Sequence, residues 1–150
     1  MVLRPEFVER KLQLITEDLE RLGQFRSISY ESLIADPLRL AAVERLLERI
    51  VLRAIDVNEH IITELATGGE EKTTRLTYRD TFLKLSAYGV YDEAFAERIA
   101  PAAGLRNILV HQYNDIDHRI VFDSIGKVLE LFTAYVQLMR RFVDTCSAGS

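Results

Sequence analysis

The chain has 150 residues, and its 19 Lys and Arg against 23 Asp and Glu give a net charge of −4 with the histidines neutral. That balance excludes a general polybasic coat protein for nucleic acid. With 48% hydrophobic and 28% charged residues, three Pro and seven Gly, the composition is that of a folded globular chain rather than a disordered or collagen-like one.

The first residues, Met1-Val2-Leu3-Arg4-Pro5-Glu6, soon meet the charges of Glu9, Arg10 and Lys11, which interrupt the apolar core a signal peptide needs. From Pro5 to Arg26 the apolar residues Phe7, Val8, Leu12, Ile15, Leu19 and Leu22 fall three or four apart, the stripe of an amphipathic helix that Gly23 weakens at its end. Asp36-Pro37 is a second start signal. It supplies an N-cap acceptor and then a residue whose missing N–H costs nothing in a first helical turn. The pattern Leu40, Val43, Leu46, Leu47, Ile50, Val51, Ala54, Ile55, Ile61, Ile62, Leu65 then predicts a long helix, the spine of a bundle.

Ala66 to Thr77 breaks the pattern with Gly68-Gly69 and a charged, hydroxyl-rich run, which is loop chemistry. Thr77 and Asp80 form a capping pair that opens a short helix through Phe82, Leu83 and Leu85, stopped at Gly89. A further segment starts near Asp92 and runs through Phe95 and Ile99. Pro101 then forces a restart or a kink before Leu105 to Val110. After Asn114-Asp115 a last long helix carries Ile120, Val121, Ile125, Val128, Leu129, Phe132, Val136 and Phe142. Cys146 falls in a polar terminal stretch that reads as a frayed, exposed tail, and one thiol makes no internal bridge. The expectation is a single all-α domain over 1–150, an antiparallel helical bundle. A chain of this size buries roughly 68–70% of its unfolded surface, so a core forms without disulfides or metal. No run approaches the roughly 20 apolar residues of a membrane span, and a reducing cytoplasm is the expected location.

Several motifs are set aside on chemical grounds. Gly68-Gly69-Glu70-Glu71-Lys72-Thr73 puts Glu71 where a phosphate-cradling loop needs Gly, and no strand precedes it. His60, His111 and His118 have neither a Cys partner nor the two-His spacing of a zinc protease, so neither a metal nor another cofactor is expected. Between positions 72 and 84, Lys72, Arg75, Arg79 and Lys84 oppose only Asp80, a local excess of three positive charges. These residues either form a solvated helix face or steer phosphate, and Lys72, Arg75 and Arg79 are the candidate substrate contacts.

The stretch from Gly104 to Asp117 is richer. Arg106, Asn107, His111 and Tyr113 surround the apolar run Ile108-Leu109-Val110. On a regular helix Arg106 and Tyr113 lie within about 20° of each other, and Asn107 and His111 within about 40°. A fixed cation, an imidazole, an amide and a phenol suit phosphoryl chemistry, with Arg binding the phosphate and His moving protons. Arg and His near a helix end also cap carbonyls, and that reading stands beside the catalytic one.

Arg106, four residues, His111, one residue, Tyr113 resembles the signature of the HepT toxins of the HEPN superfamily of α-helical ribonucleases. The segments Ile50 to Ile55, His60-Ile61-Ile62, Tyr78 to Phe82 and Ile116-Asp117 look like that family in the same order, covering about Leu46 to Phe132. The resemblance implies a HEPN-like homodimer whose Arg–His pairs meet across a twofold groove and cut RNA without metal. Arg106 and His111 would be catalytic and Asn107 would orient the phosphate or the imidazole. It also implies a minimal nucleotidyltransferase antitoxin that adenylylates Tyr113. A different class of function, a catalytically silent HEPN subunit that pairs with a nucleotidyltransferase, needs the same dimer but no proton transfer at His111.

Overall fold

The computed structural model describes residues 3–66, 76–111 and 117–148, with the side chains at 110, 111 and 148 left aside. Seven helices occur among them: α1 (Pro5–Gly23), α2 (Tyr30–Ala35), α3 (Pro37–Leu65), α4 (Tyr78–Lys84), α5 (Glu93–Ile99), α6 (Ala102–His111) and α7 (His118–Ala148). No strand is present among the described residues. None of these helices is long and apolar enough to cross a membrane.

The local signals act as the sequence predicts. Asp36 caps α3 by accepting from the backbone N–H groups of Leu38 and Arg39 at 3.0 and 3.3 Å, with Pro37 in the first turn. Thr77 and Asp80 form a complete capping box: the Asp80 N–H donates to Thr77 Oγ1 at 3.1 Å, and the Thr77 N–H donates to Asp80 Oδ2 at 3.2 Å. Asp92 accepts from the Phe95 N–H at 2.8 Å and starts α5. After α4 the chain reverses at Gly89, whose φ of +83° only glycine adopts at little cost. There the Val90 N–H reaches the Leu85 carbonyl and the Gly89 N–H the Ser86 carbonyl, the paired bonds of a Schellman closure. Pro101 resolves as a restart, since α5 ends at Ile99 and α6 begins at Ala102.

Two parts of the chain differ from the sequence expectation. Residues 30–35 form a helix that the hydrophobic pattern does not reveal, because six residues are too few to display a period. It is held by the Ser29 cap, by buried Leu33 and by Tyr30, whose ring carries the Arg119 guanidinium of α7 at 4.8 Å. The C-terminal stretch is also not a frayed tail around Cys146. The helix α7 continues to Ala148, Cys146 is half-buried on it, and burial pushes its thiol pKa up.

The helices form an antiparallel bundle around α3, which packs against α1, α2, α4, α6 and α7. The ion pairs fix directions. Lys11 meets Asp56, and Asp18 meets Arg49 and Arg53, so α1 runs against α3. Arg140 meets Glu9, while Leu19 and Gly23 line a groove with Leu129 and Thr133, so α1 also runs against α7. The buried apolar side chains of all seven helices make one continuous cluster. Each large one contributes about 1.5–3 kcal/mol by leaving water.

Within this cluster sits a small polar network. Asn58 is fully buried; its Oδ1 accepts from the Tyr135 hydroxyl at 2.6 Å, and its Nδ2 donates to Thr81 Oγ1 at 3.2 Å. Thr81 Oγ1 donates in turn to the Tyr78 carbonyl at 2.7 Å, and the Ala54 carbonyl lies 3.2 Å from the Tyr135 hydroxyl. These bonds tie α3, α4 and α7 together at one level of the bundle, which satisfies groups that would otherwise be costly to bury. Burial drives the Tyr135 phenol pKa far above its ordinary value.

Candidate active site

The helix α6 sits on α3 and α4 with Ala103, Leu105 and Leu109 buried. Its polar residues therefore occupy the remaining directions. Asn107 is exposed, while Arg106 is half-buried and turned toward α4. There its guanidinium carbon stands 5.2 Å from the centroid of the Tyr78 ring, inside the range of a cation–π contact. A planar cation held over a ring loses rotamer freedom and presents a fork of donors, which suits it to hold a phosphate oxygen.

His111 is the last residue of α6, five positions beyond Arg106. On a regular helix that separation turns the two positions about 140° apart around the axis. The side chain of His111 and the whole of Tyr113 lie outside the described residues, as do Lys72 and Arg75. Arg79, the third of the candidate phosphate contacts, is exposed on α4 immediately after Tyr78. Among the described candidates, Arg106 and Arg79 thus stand on neighbouring helices in contact, and Tyr78, the residue before Arg79, lies under Arg106 in space.

On another side of α6, Ala102, Leu105 and Ile108 line an open groove of about 260 Å³ against Ile120, Val128 and Phe132 of α7. Gly104 also faces it, with nothing within 4 Å of where a Cβ would stand, and Ile120 is 40% exposed.

Sequence reasoning missed the part played by Tyr78 and by the Asn58 network. One signal was available. Asn58 lies three to four residues from Ala54, Ile55, Ile61 and Ile62, on the buried stripe of α3, and a polar residue there requires partners.

The profile of a family described as "Ribonuclease HepT-like" matches residues 8–139. The chain belongs to the HepT-like ribonuclease family. The match reaches back through α1, beyond the stretch from Leu46 to Phe132 that carries the sequence resemblance. The tRNA nuclease HepT of Aphanizomenon flos-aquae is 34% identical over 143 residues, which span 95% of this chain and 94% of that protein. A putative RNase of Archaeoglobus fulgidus is 25% identical over 135 residues, 90% of this chain and 92% of its own. The HepT-like fold is matched by the tri-AMPylated HEPN toxin of Shewanella oneidensis, solved in complex with its MNT antitoxin. It has a TM-score of 0.72 at 22% identity, covering 90% of this chain and 97% of that one.

Proposed function

We propose that this protein is the toxin of a toxin–antitoxin pair and a metal-independent endoribonuclease, with Arg106 and His111 as its catalytic residues. The observation that carries the reading is the family match over 8–139, within which Arg106, His111 and Tyr113 stand at the spacing of the HepT signature. The position of Arg106, braced on Tyr78 and partly open to solvent, supports its role.

The chemistry follows from the side chains. His111 takes the proton from a ribose 2′-hydroxyl, whose oxygen attacks the adjacent 3′-phosphate. Arg106 binds the phosphorane as its charge builds. The P–O5′ bond breaks, the departing 5′-oxygen takes a proton from water or from the imidazolium of His111, and a 2′,3′-cyclic phosphate remains. Asn107, exposed beside Arg106, orients the phosphate or the imidazole. Arg79, with Lys72 and Arg75, draws the RNA backbone toward the site in a chain that is otherwise acidic.

The active form is a homodimer. The angular offset of Arg106 and His111 on α6 favours a groove in which two copies present their pairs from both walls, and the open apolar groove beside α6 offers surface for such contact. The partner is a minimal nucleotidyltransferase antitoxin that transfers AMP to Tyr113. A phosphodiester there would occupy Arg106 with the wrong phosphate and fill the groove that RNA needs. The AMPylated state of the Shewanella oneidensis toxin beside its antitoxin supports this control.

Expression in a host cell tests the reading. The wild-type chain should arrest growth, and Arg106→Ala and His111→Ala should not. Co-expression with a nucleotidyltransferase encoded beside it should restore growth and add AMP detectable by mass spectrometry. Adducts should vanish in Tyr113→Phe, which should stay toxic. Growth arrest by the Arg106→Ala chain would overturn the assignment of the site.

A further inference from the structure

Arg106 is held by a device that begins well away from it in the core. Its guanidinium lies over the ring of Tyr78, the first residue of α4, at 5.2 Å. That ring is half-buried and packed against the apolar cluster, so it is a fixed platform rather than a swinging side chain. The start of α4 is fixed twice over. The Thr77–Asp80 capping box locks its first turn from the solvent side. From the core side, Thr81 Oγ1 donates to the Tyr78 carbonyl at 2.7 Å and accepts from Asn58 Nδ2 at 3.2 Å, while the Tyr135 hydroxyl holds Asn58 Oδ1 at 2.6 Å. A chain of short bonds thus runs from α7 through α3 into the residue whose ring carries Arg106.

We infer that Tyr78 is a positioning residue for Arg106: its ring face sets the direction and desolvation of the guanidinium, and the buried Asn58–Thr81–Tyr135 network sets the ring. The inference rests on the proposed catalytic role of Arg106. A ring face attracts a guanidinium through its charge without itself supplying a hydrogen-bond acceptor, so the contact fixes direction without competing with a phosphate as a carboxylate would. Among the described residues the contact with Arg106 is made by the aromatic face of Tyr78, and that face is what the test removes.

The test compares Tyr78→Leu, which keeps apolar volume but removes the π face, with Tyr78→Phe, which keeps the face. Both are measured as purified protein on an RNA substrate, beside Arg106→Ala. Tyr78→Leu should lower kcat/KM by about 3- to 30-fold, the span of a cation–π contact between exposed and desolvated settings. Tyr78→Phe should restore the rate to within about twofold of wild type. A direct readout comes from the Arg106 Nε–H resonance. It should carry a ring-current shift in the wild type and Tyr78→Phe and lose it in Tyr78→Leu, with the rest of the amide spectrum in place.

Wild-type cleavage by Tyr78→Leu would overturn the inference while leaving the ribonuclease site standing. So would a Tyr78→Phe variant as impaired as Tyr78→Leu, or lost activity with the Arg106 resonance unmoved. Wild-type cleavage by Arg106→Ala would remove the site itself, and the role of Tyr78 with it.

Discussion

Replacing Tyr135 by Phe deletes one oxygen from the centre of the bundle and leaves the ring. The ring's neighbours Phe82, Tyr91 and Phe132, at centroid distances of 6.1, 6.4 and 5.9 Å, keep their packing. What changes is that Asn58 Oδ1, on a residue with no exposed surface, loses the donor at 2.6 Å. Stranding a buried acceptor costs about 1–3 kcal/mol, more than the net value of the bond itself. For a chain of this size each kcal/mol moves the melting temperature by about 2–4 °C, so Tyr135→Phe should melt about 2–12 °C lower. The double variant Asn58→Leu/Tyr135→Phe removes both ends of the bond. It should be more stable than the sum of the single changes by about 0.5–3 kcal/mol, because no carbonyl oxygen is left stranded. Calorimetry on the four proteins at one fixed concentration measures this. Strict additivity, or a Tyr135→Phe protein melting with the wild type, would refute the view that the network is a coupled unit.

Other outcomes follow from the charged groups. Asp18 is fully buried between α1 and α3 and bonded to Arg53 at 2.7 Å and Arg21 at 2.8 Å, with Arg49 3.1 Å away. Asp18→Ala would leave these guanidiniums without their carboxylate. Because they reach solvent in part, the loss should be about 2–3 kcal/mol, below the full cost of a sealed pair, and urea titration reads it. His60 has its pKa lowered, first by burial and then by Arg4, with Glu64 opposing. The unfolded chain therefore takes up the proton more readily than the folded one. The contribution of His60 to stability is complete above its unfolded pKa of about 6.5 and is lost as pH falls toward the lower folded value. Urea midpoints from about pH 7.5 down to about pH 5.5 should fall more steeply for the wild type than for His60→Gln, and parallel curves would contradict the sign.

The helices with strong punctuation were legible in the sequence. Asp36-Pro37, Thr77 with Asp80, and Gly89 each announce a backbone constraint that tertiary packing leaves intact. The helix at 30–35 was not, because it exists through contacts with α3 and α7 rather than through any period of its own. Cys146 misled for a related reason: small polar neighbours resemble a tail, yet Met139 and Val143 bury their faces and carry α7 onward past it. For the site, spacing singled out Arg106, Asn107, His111 and Tyr113, since reactive side chains crowd one short segment. The platform beneath Arg106 escaped notice because it is assembled from residues 58, 78, 81 and 135, whose proximity only the fold creates.

Cleavage of RNA by Arg106 and His111 without a metal ion, as proposed, is open to one direct measurement. Purified protein should be incubated with end-labelled RNA in excess EDTA, beside Arg106→Ala and His111→Ala, and the product termini identified by mass spectrometry. The expected result is cleavage by the wild type alone, leaving 2′,3′-cyclic phosphate ends, with both variants folded and inactive. Cleavage that disappears in EDTA and returns with a divalent ion, or full activity in His111→Ala, would contradict it.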